Sequence, residues 1–316
     1  MVEKMKILSE LIKKIAPNFS IHQLSKGHEV PVLLPYYHLV SDKEHPFHYN
    51  YNFPSTKRFR KDLDYLLDHF DPISLEELHS GMNLRNTFHL TFDDGLRECY
   101  EIVAPILKEK GVSATFFINP AFVDNHDLFH RYKAAVLNRF FAKKGVKTEL
   151  KKTYADLLSL DQIAEDIGLK WEEYLDEEKP YMSMEQLKQM DEDGFTIGAH
   201  SWDHPEFWLL DEERQLEEVK ESMEWLVANF NPKIKAFAFP FTDFGVSDSV
   251  FDAIHRKRLC DITFGTAGIK TEKLPTHFQR LQMEQVGSKN AGQLLKTEYL
   301  SFQIKRLLDQ HVAKRD

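Results

Sequence analysis

Along most of this chain apolar residues recur every three to four positions or in short unbroken runs, the marks of amphipathic helices and buried strands. Residues 2–15 put Met5, Leu8, Leu11, Ile12 and Ile15 on one helical face among Lys4, Lys6, Lys13 and Lys14, and Pro17 ends the pattern. Such a face packs on the rest of a protein or lies on a membrane surface. The run 30–38, bounded by prolines, reads as a buried strand that delivers Tyr37 and His38 to its C-terminal end. A helix carrying Phe59, Leu63, Leu66 and Leu67 on one face precedes Pro72, and Ser74 with Glu77 has the spacing of a capped helix start. Strand 88–92, helix 96–110 ending at Gly111 and strand 114–118 then form a βαβ unit, which implies a parallel sheet.

From about Asp124 to Lys179 the pattern changes to helical spacing and charge runs with no strand, so the stretch at about 124–180 reads as a helical insertion. The rhythm resumes with helix 183–193, strand 195–200, helix 211–229, strand 236–240, helix 247–257 and strand 262–265. No internal repeat or low-complexity linker divides the chain. The order predicts an α/β fold, a closed or partly closed βα barrel formed as one domain over 1–316.

Composition narrows the partners. Of 316 residues 42% are apolar and 29% charged, as in a globular protein, and the formal net charge of −9 argues against a broad surface for nucleic acid. No apolar run is long enough for an integral membrane span, and no secretory leader is visible, so a cytoplasmic location is expected. Cys99 and Cys260 are too few for a disulfide framework.

Two stretches could carry chemistry. Asp93-Asp94-Gly95 stands at the C-terminal end of a strand, where the loops of an α/β barrel gather active-site groups. One carboxylate can bind a metal while its neighbour acts as a base; the same tripeptide also suits a turn and helix cap. His200-Ser201-Trp202-Asp203-His204 follows another strand. Its His-x-x-x-His spacing brings two imidazoles to one side of a turn, as zinc and related metals require, or supplies a pair of surface histidines. With Asp94 it completes a two-histidine, one-carboxylate set.

Together Thr91-Phe92-Asp93-Asp94-Gly95 and His200-Ser201-Trp202-Asp203-His204 resemble the first two motifs of the polysaccharide deacetylases, the NodB-like carbohydrate esterases, and Tyr37-His38 is similar to their opening strand. The resemblance implies a distorted (β/α) barrel with a catalytic core at about 30–285, a divalent metal, zinc by preference, and removal of N- or O-linked acetyl groups from an acetylated carbohydrate. It makes Asp93 the general base and Asp94, His200 and His204 the metal ligands. Phe239-Pro240-Phe241 stands where the third motif has Arg-x-Pro-Tyr, which puts Pro240 beside the substrate and makes the Phe241 backbone N–H the oxyanion donor. Ala238 replaces the arginine that braces the base, and Arg97 is the nearest cation in sequence to take over that task. The last motif, Leu-x-His, is absent: in 280–284 Met283 stands where the proton-donating histidine would be. His38 is the leading substitute for that acid, with Glu284 and His277 behind it. Trp202, Phe207 and Trp208 are expected to line a sugar groove, and Asp127 to Lys133 of the insertion to shape specificity, although packing would use the same aromatics. Two other activities fit this pattern: a glycan-binding protein that keeps the metal, and a different metal-dependent C–N hydrolase on the same barrel.

Overall fold

The computed structural model describes residues 2–27, 30–284 and 290–315, without the side chains of 2–7. Met5, and Gln285 at the expected end of the catalytic core, therefore lie outside what is described. Ten strands form: β1 Pro35–Tyr37, β2 Asp71–Pro72, β3 Thr87–Phe88, β4 Leu90–Phe92, β5 Ala114–Ile118, β6 Thr196–Ala199, β7 Ala236–Ala238, β8 Ile262–Gly265, β9 His277–Gln279 and β10 Leu281–Gln282. Eight of them make one parallel sheet in the order β10-β1-β4-β5-β6-β7-β8-β9, while β2 and β3 pair separately. The two edge strands of that order, β9 and β10, are consecutive in the chain and separated by Arg280 alone. β9 pairs with β8 and β10 with β1, so one short segment joins both edges and the sheet curls into a nearly closed ring. The α/β barrel read from the alternation of runs is therefore the observed fold.

The strands of the large sheet are almost wholly buried, as helices on the outer face require. Several helices begin at side chains that accept an orphan backbone N–H: Ser55, Ser74, Ser183, Asp211 and Ser247 each do so. Ser74 and Ser183 complete reciprocal capping boxes with Glu77 and Gln186. Inside, Phe92 stacks between Tyr37 and Phe116, at 5.8 and 4.9 Å between ring centroids. On the helix Val2–Ile15, Ile12 is buried but Leu8 and Leu11 are exposed, so the apolar face is only partly packed. Among the described residues no helix is long and apolar enough to cross a membrane.

Several boundaries differ from the sequence reading. The run 30–38 yields only β1, because Pro31 and Pro35 have no N–H to give to a ladder; Leu33 makes a single bridge to Phe88. The run 88–92 breaks at His89, which donates from Nδ1 to the Ile73 carbonyl at 2.8 Å and accepts at Nε2 from Thr115 Oγ1 at 2.9 Å. Helix 96–110 contains a π-helical stretch, Cys99–Val103, ahead of Ala104–Lys110, where Pro105 lacks the donor that a regular helix needs. The insertion is helical as expected, with His130–Lys143, Leu157–Asp166 and Trp171–Glu178 closing on a small core of Ala134, Leu137, Leu160 and Ala164. β9, β10 and the helix Ala291–Leu307 add to the elements that the sequence pattern predicts.

Candidate active site

The strand ends that carry the two motifs lie side by side. β4 runs into Asp93 and Asp94, both almost fully buried, and β6 runs into His200. Asp94, Ser201, His204 and Phe241 all have left-handed backbones, with φ of 70, 63, 65 and 59°. For residues with side chains that conformation is strained, and its concentration here is typical of functional sites. The surroundings hold it in place. Asn119 donates to the carbonyls of His200 and Ser201, Ser201 Oγ accepts from the His204 N–H at 3.1 Å, and Thr266 Oγ1 donates to the Phe241 carbonyl at 2.6 Å.

Asp94 Oδ1 lies 3.3 Å from His204 Nε2 and 3.7 Å from His200 Nε2. One ligand atom from each of the three residues falls within 4.8 Å of the others. Asp94 Oδ1 is buried without a hydrogen-bond partner, and His200 Nδ1 donates to the Ala238 carbonyl at 2.8 Å, which leaves its Nε2 lone pair free. Burial pushes the His200 ring down to about 4, so it is neutral near pH 7. An orphaned carboxylate oxygen facing an uncharged imidazole fits a divalent cation.

Asp93 is gripped by Arg280. The guanidinium is fully buried and bidentate, Nη1 to Oδ1 at 2.6 Å and Nη2 to Oδ2 at 2.9 Å, and it also reaches Thr91 Oγ1 and the Gly265 carbonyl. Burial alone would raise the Asp93 pKa, but the charge and hydrogen bonds of Arg280, with help from His200 and His38, together hold the carboxyl below its usual range. This corrects the assignment of Arg97, whose Nε lies 3.5 Å from Glu101 on its own helix. Position 280 does the bracing that Ala238 cannot. An arginine leading a short apolar segment near the end of a barrel is the one signal for Arg280 in the sequence, and it is easily passed over in a segment defined by its missing histidine.

His38 Nδ1 is 2.6 Å from Glu284 Oε2, and Glu284 Oε1 accepts the backbone N–H groups of His38 and Leu39. Burial works against a charged ring, yet the Glu284 carboxylate overrides it and pushes His38 up to about 10. Glu284, weighed as a substitute acid, is instead the partner of His38. His277 sits elsewhere, buried between Thr263 and Asp243. Asp243, Glu272 and His277 also lie within ligand distance of one another, but Arg315 occupies that cluster, with Nε 3.1 Å from Asp243 and Nη2 on Glu272.

A cavity of about 400 Å³ opens over these groups. His38, Asp93, Asp94, His200, His204 and Phe241 line it, together with His48 and Tyr51 from the loop after β1 and Phe129, Arg131 and Tyr132 from the insertion. Pro240 and Trp202, expected beside the substrate, are not among its walls, and neither is Arg97. Pro240 is buried, and the Trp202 backbone N–H donates to Glu218 while its carbonyl accepts from the Ala121 N–H. Phe207 is core, packed edge-on against Phe239, and Trp208 reaches the site only through its ring contact with Phe241 at 5.6 Å. Arg131 lies over the Phe241 ring at 3.9 Å, and the Tyr132 hydroxyl donates to Asp94 Oδ2 at 2.8 Å. Arg131 and Tyr132 thus stand where a specificity element of the insertion is expected; the bond to Asp94 has no signal in the sequence.

No curated protein is significantly similar to this chain in sequence. Among solved structures it is similar to the Streptococcus pyogenes deacetylase PplD in complex with acetate, with TM-score 0.59 and 17% identity over 85% of this chain and 99% of that one. IcaB from Ammonifex degensii gives 0.57 and 18% over 85% and 97%. A de-N-acetylase from Aggregatibacter actinomycetemcomitans gives 0.53 and 16% over 81% and 96%. At these identities the likeness is one of fold. The polysaccharide deacetylase family model matches residues 81–257, more than half of the chain and the stretch that holds Asp93, Asp94, His200 and His204; the protein belongs to the polysaccharide deacetylase family.

Proposed function

We propose that this protein is a metal-dependent hydrolase that removes acetyl groups from a glycan or glycan precursor. Asp94, His200 and His204 would hold the ion, and two imidazoles with one carboxylate suit zinc. Such an ion supplies Lewis acidity, which makes water easier to deprotonate and polarises the acetyl carbonyl. The observation that carries the reading is the presence in one cavity wall of Asp93, locked by a bidentate Arg280, and His38, paired with Glu284. Asp93 accepts the proton of the attacking water. The Phe241 N–H, at a left-handed turn on the cavity wall, is the candidate donor to the oxyanion. His38 then passes a proton to the departing sugar nitrogen or oxygen; an amine leaves poorly without one, so a dedicated acid favours the N-acetyl linkage. The buried Arg280–Asp93 pair supports catalysis over simple glycan binding, for which an oriented base has no use.

The test is metal content by elemental analysis combined with acetate release from a panel of acetylated oligosaccharides. Release that stops on chelation and returns with zinc is expected. Asp93→Asn should keep the metal and lose about 10²–10⁴-fold in rate, as removal of general-base catalysis does, whereas His200→Ala should lose both metal and release. A wild-type protein that binds no divalent ion, or an Asp93→Asn variant as fast as wild type, overturns the assignment.

A further inference from the structure

The insertion reaches the candidate metal ligands through the Phe129 ring, 4.3 Å from that of His204, and through one hydroxyl. Tyr132 stands in the first turn of the helix His130–Lys143 and is 2% exposed, with its ring wedged against Phe47, His48 and Phe129 at centroid distances of 5.5, 5.4 and 4.9 Å. From there it donates to Asp94 Oδ2 at 2.8 Å. The other carboxylate oxygen, Oδ1, has no hydrogen-bond partner and is the one that faces His200 and His204. The two oxygens of Asp94 thus have different surroundings, and the difference is made by a residue 38 positions away.

We infer that Tyr132 is a positioning residue of the metal centre: by occupying Oδ2 it presents Oδ1 as the single coordinating oxygen of Asp94. This rests on the metal-dependent reading above. A carboxylate can bind a cation through one oxygen or two, and a hydroxyl fixed on one of them both sets the torsion of the group and withdraws that oxygen from the ion. Coordination positions that a bidentate aspartate would fill then stay open for water and the acetyl oxygen, as a hydrolytic site requires. The insertion on this account completes the metal site as well as forming a wall of the cavity.

Tyr132→Phe keeps the ring and its aromatic packing and deletes only the oxygen. Zinc affinity is measured by competition with a chromophoric chelator, and the geometry by the visible absorption of the cobalt(II)-substituted protein. Tyr132→Phe is expected to bind zinc about 10–100-fold more weakly, the usual effect of losing an outer partner of a ligand. Its cobalt bands should weaken as a second carboxylate oxygen enters. Tyr51→Phe, which alters the same cavity without touching Asp94, should hold zinc within about twofold of wild type by the same reasoning. Tight zinc binding by wild type with unchanged affinity and spectrum in Tyr132→Phe overturns this inference alone. Absence of divalent-metal binding by wild type overturns it together with the metal-dependent reading.

Discussion

Asp93 and His38 face one cavity with pKa values pushed in opposite directions, and in each case one neighbour is the chief cause. Arg280 keeps Asp93 ionised against burial, and Glu284 keeps His38 charged against burial. For catalysis by these two groups the signs are definite. Asp93 must be ionised, so its acid limb falls below the usual carboxylate range. His38 must be protonated, so turnover persists below its pKa and is lost as pH rises toward about 10. Glu284→Gln removes the charge that raises His38, and the alkaline limb of kcat should move down by more than about one pH unit while the acid limb stays. A limb that does not move would remove His38 from the role. The Asp93, Asp94, His200 and His204 positions are legible because the proposed base and the proposed metal ligands sit in two contiguous motifs. The brace is not. Arg97 is four residues from Asp93, but its helix carries it to Glu101, whereas Arg280 arrives from across the ring.

The motifs work because short strands stop where the chain must turn. β4 and β6 run buried to Phe92 and Ala199, and the residues that follow take left-handed or extended turns that aim side chains into the cavity. Gly198 in β6 shows how little slack the strand has. A Cβ there would lie 2.6 Å from the Phe117 ring and 3.2 Å from the Ala236 carbonyl. Gly198→Ala should therefore destabilise by about 1–3 kcal/mol, as overpacking does, and lower the thermal midpoint by several degrees; because β6 leads into His200, zinc affinity should fall as well. An unchanged melt would mean that Phe117 turns aside freely. Helices are readable from period and caps, and the insertion from its lack of strands. β9 and β10 are not, since runs of three and two residues carry no period to read.

The closed ring depends on long-range charge pairs that acid should break. Burial opposes ionisation of Asp243, but His277, Gln279 and Arg315 prevail and bring it from an ordinary 3.8 down to about 2. Glu206, held by His130 and the Tyr154 N–H, likewise falls to about 2 against burial. A depressed folded-state pKa stabilises fully above the unfolded value and is lost as pH falls through the folded one, so both contributions disappear between about pH 4 and 2. Each is on the order of 2 kcal/mol. The urea midpoint should drop steeply across that window, and Asp243→Asn should flatten the drop; equal slopes would show that the cluster adds nothing to stability. The local sequence was sufficient for the alternation of strands and helices as far as β8, the parallel α/β class, the helical insertion and the two motifs, because periodicity, capping and ligand spacing are all short-range. Tertiary structure alone decided which arginine holds the base, which acid charges His38 and which tyrosine holds Asp94, pairs separated by 187, 246 and 38 residues. Closure of the ring and docking of the insertion bring those groups together, and no local pattern records which distant partner a buried charge will meet.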